Sequence, residues 1–210
     1  MEMSPQEDMR FFRLPPEDFG TQLWKELRTL RERVYSDRLD LHLHDSAREA
    51  EIDRHSYVFG ISSHGVLKAT IRLTPATAPL LEMRELGVFP QQMTGADDVC
   101  EITRFAVGDK GLMYGTAVVH GFATWMLQNT SIKRYYAYCR PRSAQYFVRA
   151  FGARVLPVTF GISERGVTDY RIVTGTMADA EGLTRPRAAG LAIDHPGSEC
   201  GFPCSLPVGR

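Results

Sequence analysis

Cys100-Glu101-Ile102-Thr103-Arg104-Phe105-Ala106-Val107 reads as a β-strand, with Ile102 and Phe105 set among Val99, Ala106 and Val107. Glu101 and Arg104 interrupt it three residues apart, and unpaired buried charge is costly. Two readings are open for the pair: a structural ion pair or a charge at the strand edge, and a pair held for chemistry. The residues after the strand favour the second. Val107 runs into Gly108-Asp109-Lys110-Gly111, and Leu112-Met113-Tyr114-Gly115-Thr116-Ala117 then opens an apolar helix. A charged strand leading through a glycine-containing loop to a helix N-terminus sets backbone N–H donors beside a carboxylate. That layout suits acyl transfer, with donors for a thioester or phosphopantetheine arm and a base for an attacking amine.

The whole chain is consistent with one globular domain. It has 210 residues, 43% hydrophobic and 24% charged, enough for a substantial core. Lys+Arg and Asp+Glu both number 25, so nothing points to a general nucleic-acid binder. No apolar run reaches the length of a membrane span, and Met1 to Arg13 has no signal-peptide core, so a cytoplasmic protein is expected. Cys100 and Cys139 fall in apolar stretches and read as reduced core residues, while Cys200 and Cys204 lie in a Pro/Gly-rich tail. His42, His44 and Asp45 are closely spaced, but no third placed ligand accompanies them and no metal site is expected.

Outward from the central strand, residues 1–18 read as an irregular arm and 19–176 as the domain. Phe19 to Arg38 has helical spacing through Leu23, Leu27, Leu30 and Val34, and Leu39 to Glu51 reads as a loop with room for one helical turn. Tyr57–Ser62 and Val66–Leu73 form a hairpin around Ser63-His64-Gly65, and residues 74–98 form a Pro-rich connection long enough to be functional. After the helix from Leu112 to Gln128 come a strand at Arg134–Cys139 and a short helix at Ser143–Phe151 ending at Gly152. Strands at Arg154–Phe160 and Asp169–Thr174 complete the pattern. Residues 177–210 show no period and read as a poorly ordered tail. The order predicts a mixed α/β (α+β) sandwich on a largely antiparallel sheet rather than a doubly wound nucleotide fold.

Four short matches, in order, carry a resemblance: Arg31-x-x-Val34-Tyr35, Glu51-Ile52-Asp53, Ile71-Arg72-Leu73-Thr74-Pro75 and Glu101-x-x-Arg104-Phe105. Over about Leu27 to Thr174 the chain resembles the autoinducer (acyl-homoserine-lactone) synthases. The resemblance implies the GNAT N-acyltransferase fold, a three-layer sandwich of helices on both faces of a mixed, mostly antiparallel sheet. It implies that Arg31, Tyr35, Asp53, Arg72, Glu101 and Arg104 surround the substrate amine. Glu101 would accept the amine's proton while paired to Arg104, and an N–H of the Phe105–Val107 strand would stabilise the thioester oxyanion. S-adenosylmethionine is the implied acceptor and acyl-carrier protein or acyl-coenzyme A the donor, with no tightly bound cofactor.

The chain departs from the family at Leu41, where a tryptophan is usual, and at Ser56, where a second acid is usual. These changes leave the acceptor open, and the related N-acyl amino acid synthases acylate a different amine on the same fold. Cys139-Arg140-Pro141 stands where some members carry a Thr linked to oxo-acyl chains, so no oxo-acyl preference is expected. On the donor side, Gly115, Thr116 and Ala117 match the small residues of the coenzyme A loop, although Leu112 replaces its polar lead residue. Lys110, Lys133, Arg134, Arg140, Arg142 and Arg149 form a basic set that an acidic carrier protein could meet. Two rivals stay open: a GNAT enzyme using another amine, with coenzyme A, carrier-protein or aminoacyl-tRNA donors, and a non-catalytic ligand-binding module.

Overall fold

In chain order the elements are β1 (Met9–Leu14), α1 (Gln22–Leu39), α2 (Ser46–Arg54), β2 (Tyr57–Ser63), β3 (Val66–Pro75), α3 (Glu82–Glu85) and β4 (Val99–Val107). They continue as α4 (Leu112–Asn129), β5 (Arg134–Cys139), α5 (Pro141–Phe151), β6 (Arg154–Ile162), β7 (Val167–Thr176), α6 (Met177–Thr184) and β8 (Ala192–Ile193). This computed structural model describes residues 9–39, 46–108, 112–163, 166–188 and 192–193. The strands form one sheet in the order β6-β7-β5-β4-β3-β2-β1-β8. All neighbours are antiparallel except β4–β5 and β1–β8. The expected mixed, mostly antiparallel sheet between helices is what forms.

Both faces of the sheet are covered. On one, α4, α5 and α6 bury Val118, Phe122, Phe147, Phe151 and Met177 against Phe11, Phe59, Ile71, Ile102 and Val173. On the other, Trp24, Leu27, Leu30 and Val34 of α1 pack on Phe12, Leu14, Val58 and Ala106. Next to them Met83 and Met93 of the 74–98 connection cover Val99, Tyr136 and Ile172. The β2–β3 hairpin turns on His64 and Gly65, both at positive φ (51° and 72°), the left-handed pair that a two-residue hairpin needs. Gly152 closes α5 at φ 66°, as its position predicts.

Three expectations need correction. The arm contains β1, whose Met9 and Phe11 enter one core and Phe12 and Leu14 the other. A strand covered on both faces shows no alternation, so it escapes a period-two reading. The tail begins with α6, capped by Thr176, whose hydroxyl accepts from Asp179 N–H at 3.0 Å. Met177 and Ala180 join the core, so the folded unit extends past residue 176. The segment expected as a loop contains α2, whose only large apolar residue is Ile52. Its inward face is ionic rather than apolar, so no hydrophobic period marks it.

Gly121 shows how closely α4 lies on the sheet. A Cβ there would stand 2.1 Å from Phe11 Cδ2, with two further ring atoms at 2.5 Å. Gly121→Ala should therefore lower stability by about 1–3 kcal/mol despite alanine's better helix propensity, a loss that chemical denaturation would measure. Among the described residues no helix is long and apolar enough to cross a membrane. Cys100 and Cys139 are free, buried thiols, as expected of core residues.

Candidate active site

The site starts from a bulge in β4. Against β3, Arg72 pairs with Thr103 and Thr70 with Ala106, so two steps on β3 oppose three on β4. The extra residue lies at Arg104–Phe105, and Arg104 takes φ 51°, a left-handed conformation that costs a non-glycine residue about 1 kcal/mol or more. The bulge changes the phase of the strand. Cys100, Ile102, Phe105 and Val107 face α4 and α5, whereas Val99 and Ala106 pack on the opposite face. Arg104 thereby joins Glu101, Thr103 and Arg72 on the face covered by α1, α2 and α3. Without the extra residue, simple alternation would turn Arg104 toward the apolar core.

Around this point three guanidiniums and three carboxylates meet. Arg72 is 0% exposed. Its Nε donates to Thr103 Oγ1 at 2.9 Å, and its Nη1 donates to Glu49 at 3.1 Å and Asp53 at 3.3 Å. Its Nη2 donates to Glu82. Arg104 grips Glu49 with Nε (2.8 Å) and Nη2, and its Nη1 donates to Glu82 at 3.1 Å. Arg31 donates from Nη1 to both oxygens of Asp53, at 3.0 and 2.8 Å. The Tyr138 hydroxyl donates to Glu82 Oε2 at 2.5 Å, and Tyr35 lies under the Arg104 guanidinium, 5.6 Å from ring to Cζ. Burial opposes the charge on Arg72 and Arg104, but Glu82 and Glu49 outweigh it and raise both pKa values. For Arg31 burial prevails and lowers the pKa, despite Asp53.

Glu101 lies beside this cluster but is not paired to Arg104, contrary to expectation. Its oxygens accept from Glu82 N–H and Met83 N–H, both at 2.9 Å, so it fastens the start of α3. Arg104 is committed to Glu49 and Glu82 instead. Glu101 is 1% exposed. Burial first, and then the neighbouring Glu82, push its pKa up to about 8 against the pull of the Met83 N–H and Arg72. A carboxyl whose folded pKa exceeds its unfolded one stabilises the protein below the unfolded value and loses that contribution as pH rises through the folded one. Stability should fall between about pH 4.5 and 8, by no more than about 1.4 kcal/mol per pH unit from this group. Denaturation curves across that range should flatten in Glu101→Gln.

Arg31, Tyr35, Asp53, Arg72 and Arg104 are thus brought together as the motifs predict. Phe105 and Val107 are not with them: their side chains face the other layer, where Phe105 stacks on Tyr146 at 5.6 Å. Glu51, central to its motif, is exposed and pairs with Arg54 and His55. Glu49 and Glu82 are the residues that sequence reasoning missed. Glu49 had one signal, its i,i+4 spacing to Asp53, which acquires meaning only on a helix. Glu82 lies in the aperiodic connection and had none. Ser56, in place of an acid, ties the end of α2 to β3 by contacts to Ile52 O (2.6 Å) and Thr74 Oγ1 (2.8 Å).

On the donor side, Gly115, Thr116 and Ala117 occupy the first turns of α4. The space above Gly115 is already taken, since a Cβ would meet Tyr146 Oη at 2.7 Å. Its missing side chain serves helix packing, not the open approach expected for a donor arm. Arg140 is half-buried at the N-cap of α5, and Arg142 is exposed. Lys110, Leu41, His42, His44 and Asp45 lie outside the described residues. Among the described residues no His, Cys, Asp or Glu group has the arrangement of a metal site.

A sheet of this order between two helical layers, with β4 and β5 parallel, is a GNAT-like fold. An acetyltransferase of the GNAT family from Streptococcus pneumoniae superposes with a TM-score of 0.55 at 11% identity, covering 80% of this chain and 99% of that one. The profile of the N-acyl amino acid synthase FeeM matches residues 26–159, and the chain belongs to that family. The structure of FeeM, an N-acyl amino acid synthase from uncultured soil microbes, superposes with a TM-score of 0.63 at 14% identity, over 85% of this chain and 96% of that one. The acyl-homoserine lactone synthase BjaI, solved with SAM and isopentyl-CoA, gives 0.63 at 15% identity, over 90% and 94%. No curated protein matches the chain.

Proposed function

We infer that this N-acyltransferase moves an acyl group from a carrier thioester to the primary amine of an amino acid and releases an open-chain N-acyl amino acid. The observation that carries this reading is the parting of β4 from β5 beside the charged cluster. Their parallel ladder ends at Ile102 and Ala137, whereas β4 continues to Val107. Past that point β4 has no strand partner on its β5 side among the described residues, which leaves backbone donors for a thioester carbonyl and its pantetheine arm. The amine attacks the thioester carbon, the C–S bond breaks, and the thiol leaves as the amide forms. Glu101, with a pKa near the working pH, takes the amine's proton through water. Arg31, Asp53, Arg72 and Arg104 hold the acceptor, with Tyr35 beside them. Membership of the FeeM family supports an amino acid as acceptor.

S-adenosylmethionine is the second reading, suggested by the resemblance of Arg31, Asp53, Arg72, Glu101 and Arg104 to the residues that the acyl-homoserine-lactone synthases use. Its carboxylate would then close on its own γ-carbon, giving a lactone and methylthioadenosine. Acyl-carrier protein suits the donor, because Arg149 and Arg171 flank an apolar groove of about 320 Å³ that includes the exposed Val148 and Val155. The backbone N–H groups that open α4 would meet the donor's phosphopantetheine, and Arg140 and Arg142 follow the parallel β5 to the same end of the sheet. Mass spectrometry of extracts from cells with and without this chain separates the acceptors. N-acyl amino acids are expected, acyl-homoserine lactones would establish the second reading, and failure of the purified protein to consume acyl thioesters with any amine would overturn both.

A further inference from the structure

Arg31 is the member of the cluster whose hydrogen-bonding capacity is not used. It is 3% exposed, and Nη1 alone serves Asp53. Its Nε and Nη2 are buried and have no partner among the described residues. These two atoms form the side-on edge of the guanidinium, whose parallel N–H groups match the two oxygens of a carboxylate. Among the described residues four other arginines use that edge in that way: Arg48 on Glu85, Arg104 on Glu49, Arg134 on Asp98 and Arg185 on Glu181. Three of those four pairs lie at the exposed surface, where such contacts contribute little. The edge that stays empty is buried, where an unsatisfied donor is costly.

We propose that the Nε–Nη2 edge of Arg31 is the receptor for the acceptor's carboxylate, so that the enzyme selects α-amino acids over simple amines. This deepens the N-acyltransferase reading and rests on it. Arg72 and Arg104 do not compete for the role, because both are already engaged by internal carboxylates. Asp53 holds the opposite edge of Arg31, which fixes the fork before the substrate arrives. At the other end of the acceptor, Glu49 is the cluster's most accessible carboxylate, at 17% exposure, and suits the incoming ammonium. A carboxylate held by two charge-assisted bonds is stabilised as an anion.

The test compares each amino acid accepted by the purified wild-type protein with its carboxamide and its decarboxylated amine. The amino acid should be preferred at least 100-fold in kcat/KM, mainly through KM. In Arg31→Lys, which keeps the charge but not the fork, KM for the amino acid should rise at least 10-fold. Whatever the variant loses on the carboxamide, its preference for the amino acid over the carboxamide in kcat/KM should fall at least 10-fold. Equal use of amino acid and amine by the wild type would overturn the proposal, as would an equal loss on both in the variant. Thermal unfolding of the full chain with amino acid or carboxamide, without donor, gives a readout independent of turnover. A rise in Tm with the amino acid alone supports the carboxylate site, and equal shifts or none overturn it. Failure of thioester consumption with every amine, alongside such a rise, would remove the reaction but leave the carboxylate site standing.

Discussion

Arg72→Met is expected to lower the unfolding free energy by about 3–5 kcal/mol, the cost of removing one partner from a buried ionic network. Arg72 is fully buried and touches Glu49, Asp53 and Glu82 together. Methionine matches the stem of the side chain, so little packing is lost. What remains is three carboxylates facing two guanidiniums, with Thr103 losing its donor as well. Asp53 retains Arg31, and Glu82 retains Arg104 and Tyr138, so protonation of one carboxyl would relieve part of the strain. The double variant Arg72→Met, Glu82→Gln should consequently cost less than the sum of the two single changes, with a coupling of about 0.5–3 kcal/mol. Urea denaturation of the four proteins gives both quantities. A loss below about 1 kcal/mol for Arg72→Met would mean that the cluster is solvated and does not hold the fold.

Glu101→Gln should reduce turnover by about 10²–10⁴-fold, the range associated with loss of a general base. The same change has a structural effect that must be separated from the chemical one. A carboxylate accepts both N–H groups at the start of α3, whereas glutamine offers one oxygen and turns an NH₂ toward the other donor. Leaving that N–H unsatisfied costs about 1–3 kcal/mol and shifts α3, which carries Glu82. The pH profile separates the two effects. A base must be ionised to act, so wild-type kcat/KM should rise with pH toward a plateau above about 8, and this rise should vanish in Glu101→Gln. Wild-type rates in the variant would remove the base assignment. A slow variant that keeps the rise would make Glu101 a positioning residue acting through α3.

The strands and helices that were legible in the sequence are those whose burial is one-sided or strongly apolar. The β2–β3 hairpin, α4, β5 and α5 fall near their predicted places because alternation, helical spacing, a two-residue turn or a C-cap glycine marks each. β1 was lost because both its faces are buried, and α2 because its inward face carries Glu49 and Asp53. The candidate site shows the same division. Arg31, Asp53, Arg72 and Arg104 were legible because charges set within apolar periods are conspicuous, and their short motifs resemble those of a known family.

By itself, the sequence determined the mixed sheet between helices, the chemical class and most of the cations and carboxylates of the site. Only the tertiary structure decided how those charges pair. Whether Arg104 reaches the carboxylates at all depends on one extra residue in β4, which rotates its side chain to their face of the sheet. Whether Glu82 belongs to the site depends on a connection without periodicity, held in place by two backbone hydrogen bonds to Glu101. Ion pairing is set by distances between elements remote in the chain, and local patterning carries no record of those distances.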